Sequence, residues 1–87
     1  MYYLIVYDIE QKRVNRVHKF LKKYMHWIQN SVFEGELTPA TLAEVKQGLK
    51  NIIDKNVDSI LIFKLGTEKY SGKEVIGFEK APIDYFL

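Results

Sequence analysis

The 87 residues contain no cysteine, so neither a disulfide nor a thiolate metal site can brace the chain, and no thiol is available as a nucleophile. No apolar stretch is long enough to span a bilayer. The one N-terminal apolar run is broken by Asp8 and Glu10, so nothing there reads as a signal peptide; a soluble, cytoplasmic protein is expected. The stretch Asp8-Ile9-Glu10-Gln11-Lys12 has none of the glycines that a phosphate-cradling loop needs. Ser31, Ser59 and Ser71 have no base beside them in sequence, and His18 and His26 read as flank residues of a helix and a turn. What is missing most tellingly is acid. Between Gln11 and Phe33 there is not one Asp or Glu, although the net charge of the whole chain is only +2.

That acid-free stretch holds Lys12, Arg13, Arg16, Lys19, Lys22 and Lys23, nearly half of the 13 basic residues. A local cationic patch of this kind is either a solvated helix face or a seat for a polyanion. An apolar content of 47% and an aromatic content of 14% exclude disorder and allow one small domain with its own core, marginal on surface-to-volume grounds. A chain of this size gains from dimerising.

The chain is organised around Tyr2-Tyr3-Leu4-Ile5-Val6-Tyr7-Asp8. The apolar run is too short for a helix and reads as a central strand buried on both faces, ending at a carboxylate. From Gln11 to about Met25 the period is helical. Val14, Val17, Leu21 and Tyr24 form one stripe, and Lys12, Arg16, Lys19 and Lys23 form the opposite one. Trp27 to Phe33 reads as a second strand that bends or bulges at Gly35 and continues briefly to Leu37. Thr38-Pro39 is a capped helix start. Leu42, Val45, Leu49 and Ile52 carry that helix to about Ile53, and Gly48 within it signals close packing. Ser59 to Leu65 is another buried strand, Gly66 to Gly72 a loop, and Glu74 to Phe78 a weaker strand. The order predicts an α+β, ferredoxin-like βαββαβ sandwich over residues 1–80, with an extra C-terminal strand and both helices on one face of an antiparallel sheet. The apolar end Tyr85-Phe86-Leu87 of the tail, residues 81–87, is expected to pair with a second subunit, which would also bury the sheet face left by the helices.

For chemistry the carboxylates remain. Asp8 at a strand tip, with Arg13 and Arg16 just beyond, could hold a hard divalent cation and steer a phosphate to it, since Mg²⁺ takes oxygen ligands and is often held by one or two carboxylates plus water. In a two-fold dimer two Asp8 residues could share one ion. The residues alone equally allow Asp8 to cap the turn into the first helix.

Tyr7-Asp8-Ile9, the basic helix, Trp27 to Leu37 with its Gln29-Asn30-Ser31-Val32-Phe33 block, Asp58-Ser59-Ile60 and the ending Tyr85-Phe86-Leu87 together resemble one family over essentially the whole chain. It is the small ferredoxin-like CRISPR-associated protein of the spacer-acquisition machinery, partner of the CRISPR integrase. The resemblance implies a homodimer and a Mg²⁺ site on paired Asp8 residues. It also implies endonuclease action on single-stranded RNA or duplex DNA, or a non-catalytic bridge that holds integrase subunits along spacer-precursor DNA. Lys12, Arg13, Arg16, Lys19 and Lys23 would meet phosphates, and Tyr7, Ser31 and Phe33 would flank the site. The loop Glu10-Gln11-Lys12 departs from the acidic or hydroxyl residues common there in the family, which touches the phosphate side of the site. A toxin-like ribonuclease on the same scaffold is a variant of the nuclease reading. A single-stranded RNA reader of this topology needs glycines and paired aromatics on its third strand, and Ser59-Ile60-Leu61-Ile62-Phe63 has neither.

Overall fold

Seven elements follow one another in the computed structural model, which describes residues 1–66 and 70–78. They are β1 (Tyr2–Asp8), α1 (Gln11–Lys22), β2 (His26–Gln29), β3 (Val32–Glu36), α2 (Pro39–Ile52), β4 (Ser59–Leu65) and β5 (Tyr70–Gly77). The strands form one sheet in the order β2-β3-β1-β4-β5, antiparallel at every pairing. This is the ferredoxin-like α+β fold. The apolar run at the N-terminus takes the middle of the sheet, with β3 on one side and β4 on the other.

Strand alternation divides β1 between two apolar clusters. Tyr3, Ile5 and Tyr7 join Phe33, Ile60 and Ile62 and meet the stripes of the two helices at Val17, Leu21, Val45 and Leu49. Val17 and Leu21 of α1 are fully buried, a change worth about 1.5–3 kcal/mol for each such side chain. Val6 lies in the other cluster with Val32, Leu61 and Phe63, packed by Leu4, Leu65 and Val75. Val6, Val32, Leu61 and Phe63 are at most 6% exposed.

Four boundaries differ from those read in the sequence. The strand expected over Trp27 to Phe33 is a hairpin, turned at Asn30 and Ser31, with Asn30 in the left-handed region at φ 42°. Asparagine tolerates that conformation better than most residues. The irregularity expected at Gly35 lies in β2 instead, where the register slips between Trp27 and Gln29. Gly35 continues the ladder opposite Tyr3, and the space beside it is taken by Met25. That packing also ends α1 early: Met25 is buried at the entrance to β2 instead of extending the helix. Finally, β5 begins at Tyr70, inside the stretch read as a loop, because pairing with β4 overrides its two glycines. The cap at Thr38, which accepts from the Thr41 N–H at 3.1 Å, and the close approach at Gly48 are as expected: a Cβ at Gly48 would overlap the Phe20 ring. The tail over residues 81–87 lies outside the described residues.

Candidate active site and nucleic-acid interface

Asp8 is the last residue of β1 and stands opposite Ser59, the first of β4. Cross-strand partners share a face, so both belong to the side of the sheet away from the helices. Asp8 is partly exposed. Ser59 is completely buried, and its hydroxyl has no hydrogen-bond partner among the described residues. Buried hydroxyls are nearly always satisfied, so an orphan beside a carboxylate at a strand tip is unusual. Ser31 adjoins the same tip, its carbonyl accepting the Tyr7 N–H at 3.0 Å.

Two of the expected flanking side chains are elsewhere. Tyr7 and Phe33 point to the helix side, where both are buried with ring centroids 6.1 Å apart. Alternation forces this, since Phe33 pairs with Ile5 and Tyr7 precedes Asp8. Burial pushes the Tyr7 phenol above its ordinary value. Its hydroxyl lies 3.3 Å from Nδ1 of His18. The His18 ring in turn meets Phe33 edge-on at 5.1 Å and Trp27 at 5.5 Å.

Arg13 is also diverted. Its Nε donates to Asp58 Oδ2 at 2.6 Å, and Nη2 donates to Asp58 Oδ1 at 3.2 Å and to Glu10 Oε1 at 2.6 Å. Only 13% of the side chain is exposed, and these hydrogen bonds raise its affinity for the proton further. A guanidinium occupied by two carboxylates has little left for a phosphate. Lys12, Arg16, Lys19 and Lys23 are all exposed, and none pairs with a carboxylate among the described residues. The cationic row therefore survives without Arg13.

Asp58, which the sequence marked only as the residue opening a buried strand, is a structural anchor. It is completely buried. Besides Arg13, it accepts the Glu10 N–H on Oδ1 and the Asp54 N–H on Oδ2, each at 2.9 Å. Burial pushes its carboxyl up, but the Arg13 hydrogen bond and the two backbone donors outweigh burial and hold it below the ordinary value. The junction between β1 and α1 is thus secured by Asp58. The N-cap of α1 is Glu10, whose side chain makes no capping bond. An Asp directly before a buried strand was the available signal.

Comparison with known proteins follows this geometry. The family described as "CRISPR associated protein Cas2" matches residues 1–73. This chain belongs to the Cas2 family. It is 50% identical to the CRISPR-associated endoribonuclease Cas2 of Pyrococcus furiosus, over 100% of both chains. With that of Thermococcus kodakarensis it shares 49% identity, over 97% of this chain and 96% of the other. A crystal structure of a Cas2 superposes with a TM-score of 0.74 at 48% identity, covering 94% of this chain and 92% of that one. The Streptococcus pyogenes Cas2 crystallised at pH 6.5 gives 0.72 at 38% identity, covering 78% and 89%. No helix among the described residues is long and apolar enough to cross a membrane.

Magnesium takes oxygen donors and keeps several waters. The Asp8 carboxylate and the Ser59 hydroxyl, on cross-strand partners, are oxygen donors of that kind. Within one Cas2 chain, however, no group of three Asp, Glu, His or Cys residues among those described could hold a metal.

Proposed function

We propose that this Cas2 protein acts as a cytoplasmic homodimer in CRISPR adaptation. In this reading it binds spacer-precursor DNA and the integrase, and hydrolyses phosphodiester bonds, in single-stranded RNA or duplex DNA, at a Mg²⁺ site formed by Asp8 of both subunits. The observation that carries the nuclease reading is the pairing of Asp8 with the orphan hydroxyl of Ser59 at the tip of the central strand. The name its relatives carry, endoribonuclease, supports the same reading.

The roles divide by residue. Asp8 supplies the negative oxygen donor, on a strand held rigid by neighbours on both sides. Ser59 places a neutral hydroxyl on the strand beside Asp8, buried within one chain. Lys12, Arg16, Lys19 and Lys23 hold the backbone of the nucleic acid and set its register without reading sequence. Asp8 would hold the Mg²⁺, which would supply Lewis-acid polarisation of a phosphoryl oxygen and a more acidic water.

A purely structural bridge between nucleic acid and integrase is favoured by one observation: among the described residues, no group of three Asp, Glu, His or Cys could hold a metal. The test is cleavage of single-stranded RNA and of duplex DNA with Mg²⁺ and with EDTA, by wild type and Asp8→Asn purified identically. Cleavage that needs both metal and Asp8 establishes the enzyme. Cleavage that persists in Asp8→Asn assigns it to a contaminant. No cleavage by either, with nucleic acid still bound, selects the bridge.

A further inference from the structure

Trp27, the one tryptophan in the chain, is 55% exposed on the edge strand β2. It is nonetheless fixed. Its Nε1–H donates to the Asn30 carbonyl at 2.9 Å, and the His18 ring meets it edge-on. Trp27 pairs with Phe33 across β2 and β3, so it stands on the helix side of the sheet, beside α1. Tyr7, Phe33, His18 and Trp27 thus form a ladder of rings running from the core to the surface. The next residue, Ile28, sits in the register slip and is 45% exposed.

A large ring held rigid yet half in water gives the isolated fold little. Rigidity and exposure together suit a flat ligand that stacks. The surroundings narrow its chemistry. Lys22 follows His18 by four residues and so lies on the same face of α1; it is exposed, as is Lys19. The sequence from Gln11 to Phe33 places no carboxylate on α1, β2 or their connection. Glu34, opposite His26, also pairs with Leu4 and therefore belongs to the other face.

We propose that Trp27, braced by His18, is a stacking shelf for an unpaired base of a single-stranded nucleic acid, whose phosphates lie along the cations of α1. This rests on the nucleic-acid reading above and deepens it by naming single strands as the preferred form at this surface. Stacking a base on an aromatic ring is sequence-tolerant and worth about 1–3 kcal/mol, which corresponds to a loss of about 5- to 150-fold in affinity when the ring is removed. The shelf lies on the opposite face of the sheet from Asp8, so its contribution is to affinity and not to hydrolysis.

The lone tryptophan makes the test direct. The full chain is titrated in EDTA with a single-stranded RNA, the DNA strand of the same sequence, and the blunt DNA duplex. Binding is followed separately by anisotropy of a label on the nucleic acid and by tryptophan emission. The expected result is emission quenched by the single strands and much less by the duplex. Trp27→Ala should bind the strands at least five-fold more weakly, and Trp27→Phe should stay near wild type. The strand bound more tightly, RNA or DNA, names the source of the base. Binding by anisotropy with unchanged emission, or with Trp27→Ala unimpaired, overturns the shelf and leaves the nucleic-acid reading standing. Absence of all binding overturns both. Emission in the free protein already shielded from acrylamide would assign Trp27 to a protein interface and also overturn the shelf. Circular dichroism of both variants, expected to match wild type because the side chain is exposed, keeps unfolding from imitating a loss of binding.

Discussion

Arg13 and Asp58 meet side by side, Nε to Oδ2 and Nη2 to Oδ1, across 45 residues of sequence. A carboxylate this deeply buried is tolerable only because the guanidinium and two backbone N–H groups surround it. Removing it takes the acceptor from four N–H groups. Asp58→Ala should cost about 3–5 kcal/mol, lowering the melting temperature by on the order of 15 °C for a domain of this size. Arg13→Ala should also lower it. Calorimetry of both variants checks this, and a melting temperature unchanged in Arg13→Ala would return that residue to the phosphate-binding row.

Acid should find the same pair. The folded-state pKa of Asp58 is lowered, so its contribution to stability is fully present above the unfolded carboxylate value near 4. It is lost as pH falls through the lower folded value. Urea midpoints measured between about pH 2 and pH 6 should fall toward the acid end in wild type. In Asp58→Asn, starting from a lower plateau, they should fall less steeply.

The exposed cations predict a salt dependence. Each phosphate contact on a single strand contributes about 0.7 to the slope of log affinity against log salt. Replacing Arg16, Lys19 and Lys23 by alanine together should therefore flatten the slope by up to about 2, while Arg13→Ala leaves it nearly as it was. Titrations at several salt concentrations distinguish the two, and an unchanged slope in the triple variant would remove α1 from the contact surface.

Two glycines should respond differently. At Gly77, φ is +89° and an added Cβ would lie 2.4 Å from the Asp58 carbonyl oxygen, a backbone atom with nowhere to go. Gly77→Ala should lose at least about 2 kcal/mol. At Gly48 the obstacle is the ring of Phe20, a side chain that can be replaced. Gly48→Ala alone should be destabilising by about 1–3 kcal/mol. Paired with Phe20→Leu, it should recover much of that loss, because alanine is the better helix former by about 1 kcal/mol. Denaturant unfolding of the double-mutant cycle measures the coupling.

Where the sequence was legible, a single dominant pattern settled the matter. Six apolar residues ending in Asp8 can hardly be other than a central strand, and Thr38-Pro39 can hardly be other than a helix start. The hairpin at Asn30 and Ser31 was hidden because β-strand residues run through it without glycine or proline, and only the positive φ of Asn30 marks the turn. Arg13 looked like one more cation among six, since nothing local shows that Asp58 lies beside it in space. Asp8 and Ser59 are far apart in sequence for the same reason, and their pairing emerges only from the register of β1 against β4. Local pattern identified the elements; partners distant in sequence were visible only once the sheet was assembled.

The alternation along β1 has a last consequence. Tyr3, Ile5 and Tyr7 answer to the helices, while Leu4, Val6 and Asp8 answer to the other side, so a seven-residue ribbon carries two sets of obligations that interleave without sharing a side chain. Changes to one set can be explored while the other is held constant. The face that carries Asp8 can thus be altered without touching a side chain of the layer beneath the helices.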